Sequence, residues 1–362
     1  MLSRTADHLF WMARYIERAE NTARMLDVNY QMSLLPQSEG AAERGWRGLL
    51  SINEISGDFA KRNEALTPQS VIDYMVNDEK NGSSIRCCLM AARENARAVR
   101  GTLTTEVWET QNQTWLEFQR MVATNFFQDS PGEAFEWVKF RSHLSRGVTV
   151  GTMLQDEAFH FLRIGSFLER ADNTARLLDV KFHSVENGII GFGPGAAAAR
   201  LRYGMALAET QSQSQSQSQS QTGGGSQSQS QSQSQESSKD VEFDFYHWSV
   251  VLRSVSGFEV YRKVYRNVIR PERVAELLIL RPDMPRSLAA CVHEVLVNLQ
   301  RVANEQSKDT LRMAGRLHAD LQYGRIDEIL ATGLHAYLTQ FLERVNALGV
   351  GISRDFLVPV AP

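Results

Sequence analysis

Thirteen residues from Ile16 to Val28, IERAENTARMLDV, return at Leu168 to Val180 as LERADNTARLLDV, with ten of the thirteen positions identical. Such a return points to a tandem duplication of a helical unit. At about 100° per residue, Met12, Ile16, Ala19, Ala23, Leu26 and Tyr30 gather on one side of a helix, and Glu17, Asn21, Arg24 and Val28 on the other. The polar side repeats as faithfully as the apolar one: Glu17/Glu169, Arg18/Arg170, Asn21/Asn173, Arg24/Arg176 and Asp27/Asp179 match, while Glu20/Asp172 keep charge. A merely solvated face has little reason to hold residue identity between two copies. This face is therefore expected to meet something specific, either the other copy or a ligand.

Further matches follow in the same order. His160 falls where His8 lies, Trp46 aligns with Trp248, and Ile55-Ser56-Gly57 corresponds, with a small shift, to Val255-Ser256-Gly257. Ser84/Ser287, Ile85/Leu288, Cys88/Cys291 and Asn95/Asn298 match at one offset. The expected organisation is an all-α helical bundle with a first repeat over 1–150 and a second over 151–350, together one compact domain. Between the second copy's helices lies an extra segment, about 186–240, whose Gln211 to Gln235 stretch is Gln-Ser alternation around Gly223-Gly224-Gly225. Such a composition cannot bury apolar area to offset the entropy of ordering it, so a disordered insertion is expected.

Local signals fill in the helices. Ser3 or Thr5 can cap the first, which runs to about Leu34, and Ala41 to about Arg62 reads as a second. Thr67-Pro68 places a cap before a proline at the first helical position, and Ser84 caps the segment from Ile85 to Arg100. Thr104 or Thr105 opens the next helix, which Asp129-Ser130-Pro131-Gly132 ends. Pro271 and Pro285 open two more, and further helices start near Asp309 and Ile326. No period-two strand pattern stands out.

Composition removes several function classes. The chain has 362 residues, 43% hydrophobic, with 39 Lys+Arg against 42 Asp+Glu and a net charge of -3. Acidic and basic residues are intermixed, and no basic run interleaved with aromatics suggests nucleic acid as a partner. No window reaches the roughly 18 apolar residues of a membrane span, and the N-terminus lacks a secretory signal's continuous apolar run. Cys87, Cys88 and Cys291 form neither an even disulfide framework nor a zinc spacing, which suits a reducing compartment. The expected location is the cytoplasm.

The candidate binding constellation is Glu17, Arg18, Glu20, Asn21 and Arg24 with Glu169, Arg170, Asp172, Asn173 and Arg176. If the copies pack about a two-fold axis, these polar sides face each other across a shared cleft able to take a carboxylate or amide group. A buried ion-pair network that fixes helix register, with no ligand, accounts for the same residues. A second candidate cluster is Arg93, Glu94, Asn95 and Arg97, which solvated helix charges also explain. Glu157-Ala158-Phe159-His160 fits one half of a di-iron carboxylate pattern, but Thr5 stands where the matching Glu would precede His8, so no metal site is expected. His8 and His160 lie toward the apolar side and read as packing residues. No nucleophile elbow or cofactor loop appears, so the catalytic residues stay unassigned and no cofactor is expected.

The Leu2-Ser3-Arg4-Thr5-Ala6 opening, followed by Arg14-Tyr15-Ile16-Glu17-Arg18-Ala19-Glu20, resembles the bacterial alpha-E family, and Ala92-Arg93-Glu94-Asn95-Ala96-Arg97 is similar to a second signature of that family. The resemblance covers nearly the whole chain except the Gln/Ser insertion. It implies an all-helical fold and a gene neighbourhood shared with circularly permuted ATP-grasp-type ligases and transglutaminase-like proteins, a setting of amide-bond or peptide-modification chemistry. Two functions follow as expectations. One is a helical partner protein that recognises the ligase or carboxylate and amide groups through the repeated face. The other is an enzyme of the same pathway that uses the Glu/Arg cluster for acid-base or metal-assisted chemistry.

Overall fold

A computed structural model describes residues 1–35, 40–61, 65–186, 248–266 and 268–357. The expected insertion over about 186–240 lies, except for its first residue, outside them. The only regular secondary structure among the described residues is helix, with no strand among them. Two long helices form the centre, α1 (Ser3–Ser33) and α9 (Glu157–Glu186). They run parallel, because contacts advance together along both: Met1 with Glu157, Phe10 with Gly165, Arg14 and Arg18 with Glu169, and Glu17 with Arg170.

The remaining helices pack around this pair in two matching sets. In the first half, α2 (Ala41–Ile52), α3 (Ser56–Ala60), α4 (Pro68–Val76), α5 (Ile85–Ala98), α6 (Thr105–Ala123), α7 (Phe126–Asp129) and α8 (Pro131–Thr152) follow α1. In the second, helical residues 248–254, α10 (Phe258–Tyr265), α11 (Pro271–Ile279), α12 (Leu288–Val302), α13 (Lys308–Tyr323), α14 (Ile326–Thr332) and α15 (Leu334–Phe356) follow α9. α1 is flanked by α5 and α8 as α9 is flanked by α12 and α15.

Individual contacts repeat as well. His8 Nδ1 donates to Asn95 Oδ1 at 2.8 Å, and His160 Nδ1 donates to Asn298 Oδ1 at 2.8 Å. Each asparagine donates its own amide N–H to the carbonyl four residues back, which leaves the amide oxygen to accept and fixes the proton on Nδ1 of each histidine. Ser84 and Ser287 cap α5 and α12 and donate to the carbonyls of Asp78 and Arg281. The histidines thus tie each central helix to its neighbour, as packing residues do.

Several local expectations shift. Leu2, in extended conformation, precedes α1 with no side-chain cap, so neither Ser3 nor Thr5 serves. The helix expected from Ala41 to Arg62 breaks after Ile52, where Glu54 takes a left-handed φ of 56°. Ser256 has the same conformation (φ 53°), so the structural counterpart of Ser256 is Glu54 and not Ser56. Pro131 starts α8 instead of merely ending the helix before it, and Pro285 lies outside α12, which Ser287 caps. Gly333, at φ 96°, separates α14 from α15.

α1 carries polar residues along one side yet is buried all round near its middle, because α9 and α8 cover that side. At Gly165 the two central helices approach closely. A Cβ there would lie 2.3 Å from the Phe10 carbonyl oxygen and 3.3 Å from the Ala13 Cβ. Gly165→Ala gains about 1 kcal/mol of helix propensity, but overpacking of this kind typically costs about 1–3 kcal/mol. Urea unfolding of Gly165→Ala is expected to show a net loss of stability, and a variant more stable than the parent contradicts the close approach.

Candidate functional site

Where α1 and α9 meet, the repeated motif pairs with itself. Arg18 donates from Nε and Nη2 to the two carboxylate oxygens of Glu169 at 2.5 and 3.1 Å. Reciprocally, Arg170 donates from Nε and Nη2 to the two oxygens of Glu17, both at 2.8 Å. The contact is self-complementary: a position on one helix meets its neighbour's equivalent on the other. The guanidinium fork matches a carboxylate, and both pairs use it fully. Within each helix Arg24 Nε donates to Glu20 and Arg176 Nε to Asp172, both at 2.8 Å, the i,i+4 pairs that the spacing predicts.

Beyond this core the two sides differ. On the Glu17 side, Arg286, just before the α12 cap, donates to Glu17 (3.0 Å), Asn21 Oδ1 (2.8 Å) and Glu20 (2.5 Å). Arg146 from α8 reaches Glu17 at 3.1 Å and Glu20 at 2.5 Å, and Ser142 donates to Glu20 at 2.7 Å. Arg24 continues to Ser256 and His143. On the Glu169 side, Arg14 adds one bond to Glu169 at 2.7 Å, and Arg176 pairs with Glu54. The residue matching Arg286 at the offset that joins Ser84 to Ser287 is Ser83. In place of a guanidinium there is a cavity of about 180 Å³, lined by Arg18, Asn21, Ser83, Glu169, Asp172, Asn173 and Arg176 together with the α2–α3 turn at Asn53 and Glu54.

Electrostatics follow this asymmetry. Burial pushes the Glu17 carboxyl up, but Arg170 and Arg286 overcome it and hold its pKa at about 2. Glu20, equally buried, is held well below the usual carboxylate range by Arg286, Arg146 and Arg24. Glu169 is likewise lowered, with Arg14 and Arg18 outweighing burial. Asp172, the counterpart of Glu20, goes the other way: burial raises it, and Arg176 compensates only in part. Burial also pushes the thiols of Cys88 and Cys291 up to about 12, which keeps both protonated at neutral pH.

The structure brings together most of the expected residues, but not as one open cleft. Glu17, Glu20 and Arg24 face Arg286 and α8, whereas Asp172, Asn173 and Arg176 line the cavity with Arg18 and Glu169; Asn21 touches both. Arg93, Glu94 and Arg97 bond to one another and to Asn112 on the outer side of α5, apart from this cluster, and Asn95 serves His8. Arg14, Arg146 and Arg286 are at the site without having been among the expected residues. Arg146 and Arg286 come from elements outside the repeated thirteen residues, and Arg286 could be found only by noticing that it stands beside a repeated cap where the first copy has serine.

The lowered carboxylates set an acid limit on stability. Glu17 ionises near 4.5 when unfolded and about 2 when folded, a difference on the order of 3 kcal/mol. Its contribution is fully present above pH 4.5 and is lost as pH falls through the folded value; Glu20 and Glu169 act in the same direction. Asp172 acts oppositely, weakening the fold above its raised pKa. Urea unfolding from pH 6 to pH 3 is expected to show a net fall in stability that is smaller in Glu17→Gln. An unchanged midpoint across that range contradicts the assignment.

A family described as "A predicted alpha-helical domain with a conserved ER motif" matches residues 1–357. No curated protein and no solved structure matches the chain. The matched span includes Glu17-Arg18 and Glu169-Arg170, the two Glu-Arg dipeptides that pair reciprocally between the central helices. The chain belongs to the Alpha-E family.

Proposed function

We propose that this protein is a non-catalytic helical partner in an ATP-grasp-linked amide-bond or peptide-modification system, and that the cavity beside Ser83 receives a charged or amide-bearing group of its partner or peptide. The observation that carries this reading is the polar cavity itself: it lies at the meeting of the repeated motifs, with Glu54 at its exposed edge, Arg18, Asp172 and Arg176 half-buried along it and Glu169 buried within. Glu17, Glu20 and Glu169 are saturated by arginines and held ionised far below neutrality, a state suited to fixing helices and poorly suited to moving protons at pH 7. The two matching helix sets are read as the product of a tandem duplication, with the first repeat over 1–150 and the second over 151–350. One copy then became self-sufficient through Arg286, while the other kept an opening. The circularly permuted ATP-grasp-type ligase and the transglutaminase-like protein are the proposed partners.

One observation favours the second reading, an enzyme of the same pathway. Asp172 lines the cavity and has a raised pKa, as a general acid or base requires. The two readings separate by experiment. Capture of the cognate ligase by the immobilised full chain is expected to fall at least tenfold on Glu54→Ala with Arg176→Ala, with helix content unchanged by circular dichroism. Undiminished capture contradicts the partner reading. Turnover of a ligase-modified peptide by the protein alone, lost in Asp172→Asn, would establish the enzyme instead.

A further inference from the structure

The two sides of the central helix pair are built from equivalent positions, and one side already contains its ligand. Arg286 places its guanidinium against Glu17, Glu20 and the Asn21 amide oxygen at 2.5 to 3.0 Å. The equivalent trio on the other side is Glu169, Asp172 and Asn173, and all three line the cavity that opens where Ser83 replaces the arginine. We propose that this cavity is a guanidinium site, taking the arginine side chain of a peptide in the place that Arg286 fills from within the chain. The proposal rests on reading the protein as a binding partner and names what it binds.

A second observation points to a ligand independently of the acidic residues. Asn21 is 3% exposed and lines the cavity, yet its side-chain Nδ2 has no hydrogen-bond partner among the described residues. Its orientation is fixed, because Arg286 can donate only to the amide oxygen, which turns the N–H groups away from Arg286. A buried amide donor left unpaired costs about 1–3 kcal/mol, a cost that an acceptor brought by the ligand would remove. The Asn173 side chain, which also lines the cavity, makes no hydrogen bond among the described residues and can offer its amide oxygen as Asn21 does to Arg286.

The arginines lining the cavity do not exclude a cationic ligand. Arg18 is committed to both oxygens of Glu169, and Arg176 to Asp172 and Glu54. Their counterparts Arg170 and Arg24 stand around Arg286 in the same way, committed to Glu17 and Glu20. A space of about 180 Å³ far exceeds the roughly 10–15 Å³ that admits one water on the same measure, so a side-chain head group fits. Asp172 has Arg176 in the place of Arg24 but no counterpart of the Arg286 and Arg146 that also hold Glu20 down, and an entering guanidinium would lower it in turn.

The test is calorimetric titration of the full chain with N-acetyl-L-arginine amide, free L-arginine and N-acetyl-L-citrulline amide, in which a neutral urea replaces the guanidinium. The arginine amide is expected to bind at least tenfold more tightly than the citrulline amide, and at least tenfold less tightly to Asp172→Asn. Ser83→Arg, which installs the internal arginine of the other side, should abolish binding and raise the thermal midpoint. Ser83→Met fills the space without charge and should also abolish binding if the arginine variant fails to fold. Tighter binding of the amide than of free arginine identifies a peptide source. Equal binding of arginine and citrulline compounds, no binding of either, or unchanged binding in both Ser83 variants overturns the proposal. If guanidinium binding fails while ligase capture persists, only this inference falls; if capture also fails, so does the partner reading beneath it.

Discussion

Two arginine–carboxylate forks, Arg18 on Glu169 and Arg170 on Glu17, hold the parallel central helices in register, and every other polar feature of the site is arranged around them. Moving such charges out of water is expensive, and an apolar pair of similar volume would often be as stable. What the forks supply is an alignment that an apolar seam lacks. A slide of one helix by a turn would break both forks, in which Glu17, Glu169 and Arg170 are buried and Arg18 half-buried, and breaking one buried pair costs about 3–5 kcal/mol. Gly165 and Ala13 then allow the backbones to approach just ahead of the forks, toward the N-termini of both helices.

With the register fixed, the surrounding helices decide what each side of the pair does. On one side α8 and the segment before α12 contribute Arg146 and Arg286, which complete the coordination of Glu17 and Glu20. On the other, serine at position 83 leaves Asp172 and Asn173 facing open space. The two sides diverge through residues outside the repeated segment, so a near-identical motif serves as closed scaffold in one place and as the wall of a cavity in the other. The opposite pKa directions of Glu20 and Asp172 are the electrostatic consequence.

Much of this was legible in the sequence. Helical periodicity, the caps at Thr67, Ser84 and one of Thr104 and Thr105, and the identity of both faces of the repeat pointed to paired central helices in an all-α fold. The convergence of Glu17 and Arg18 with Glu169 and Arg170 was one of the two outcomes that the repeat allowed. What the sequence could not decide was whether those charges would neutralise each other or await a ligand, because both outcomes require the same residue types on the same face. The breaks after Ile52 and Thr332 were also missed, since Glu54 and Gly333 take left-handed or extended positive-φ conformations that periodicity does not reveal. The partners of Glu20 depend on which side chains α8 and the α12 cap bring close, and that is set by packing between distant segments.

The central claim is that the two Glu-Arg dipeptides are energetically coupled across the helix pair. Its most direct measurement is a pair of double-mutant cycles by urea unfolding, Glu17→Gln with Arg170→Met and Glu169→Gln with Arg18→Met. Reciprocal pairing predicts coupling of about 1 kcal/mol or more in both cycles, within the range for residues in one buried network. Single-mutant effects that add to within about 0.5 kcal/mol in both cycles, as for distant and independent sites, would contradict it.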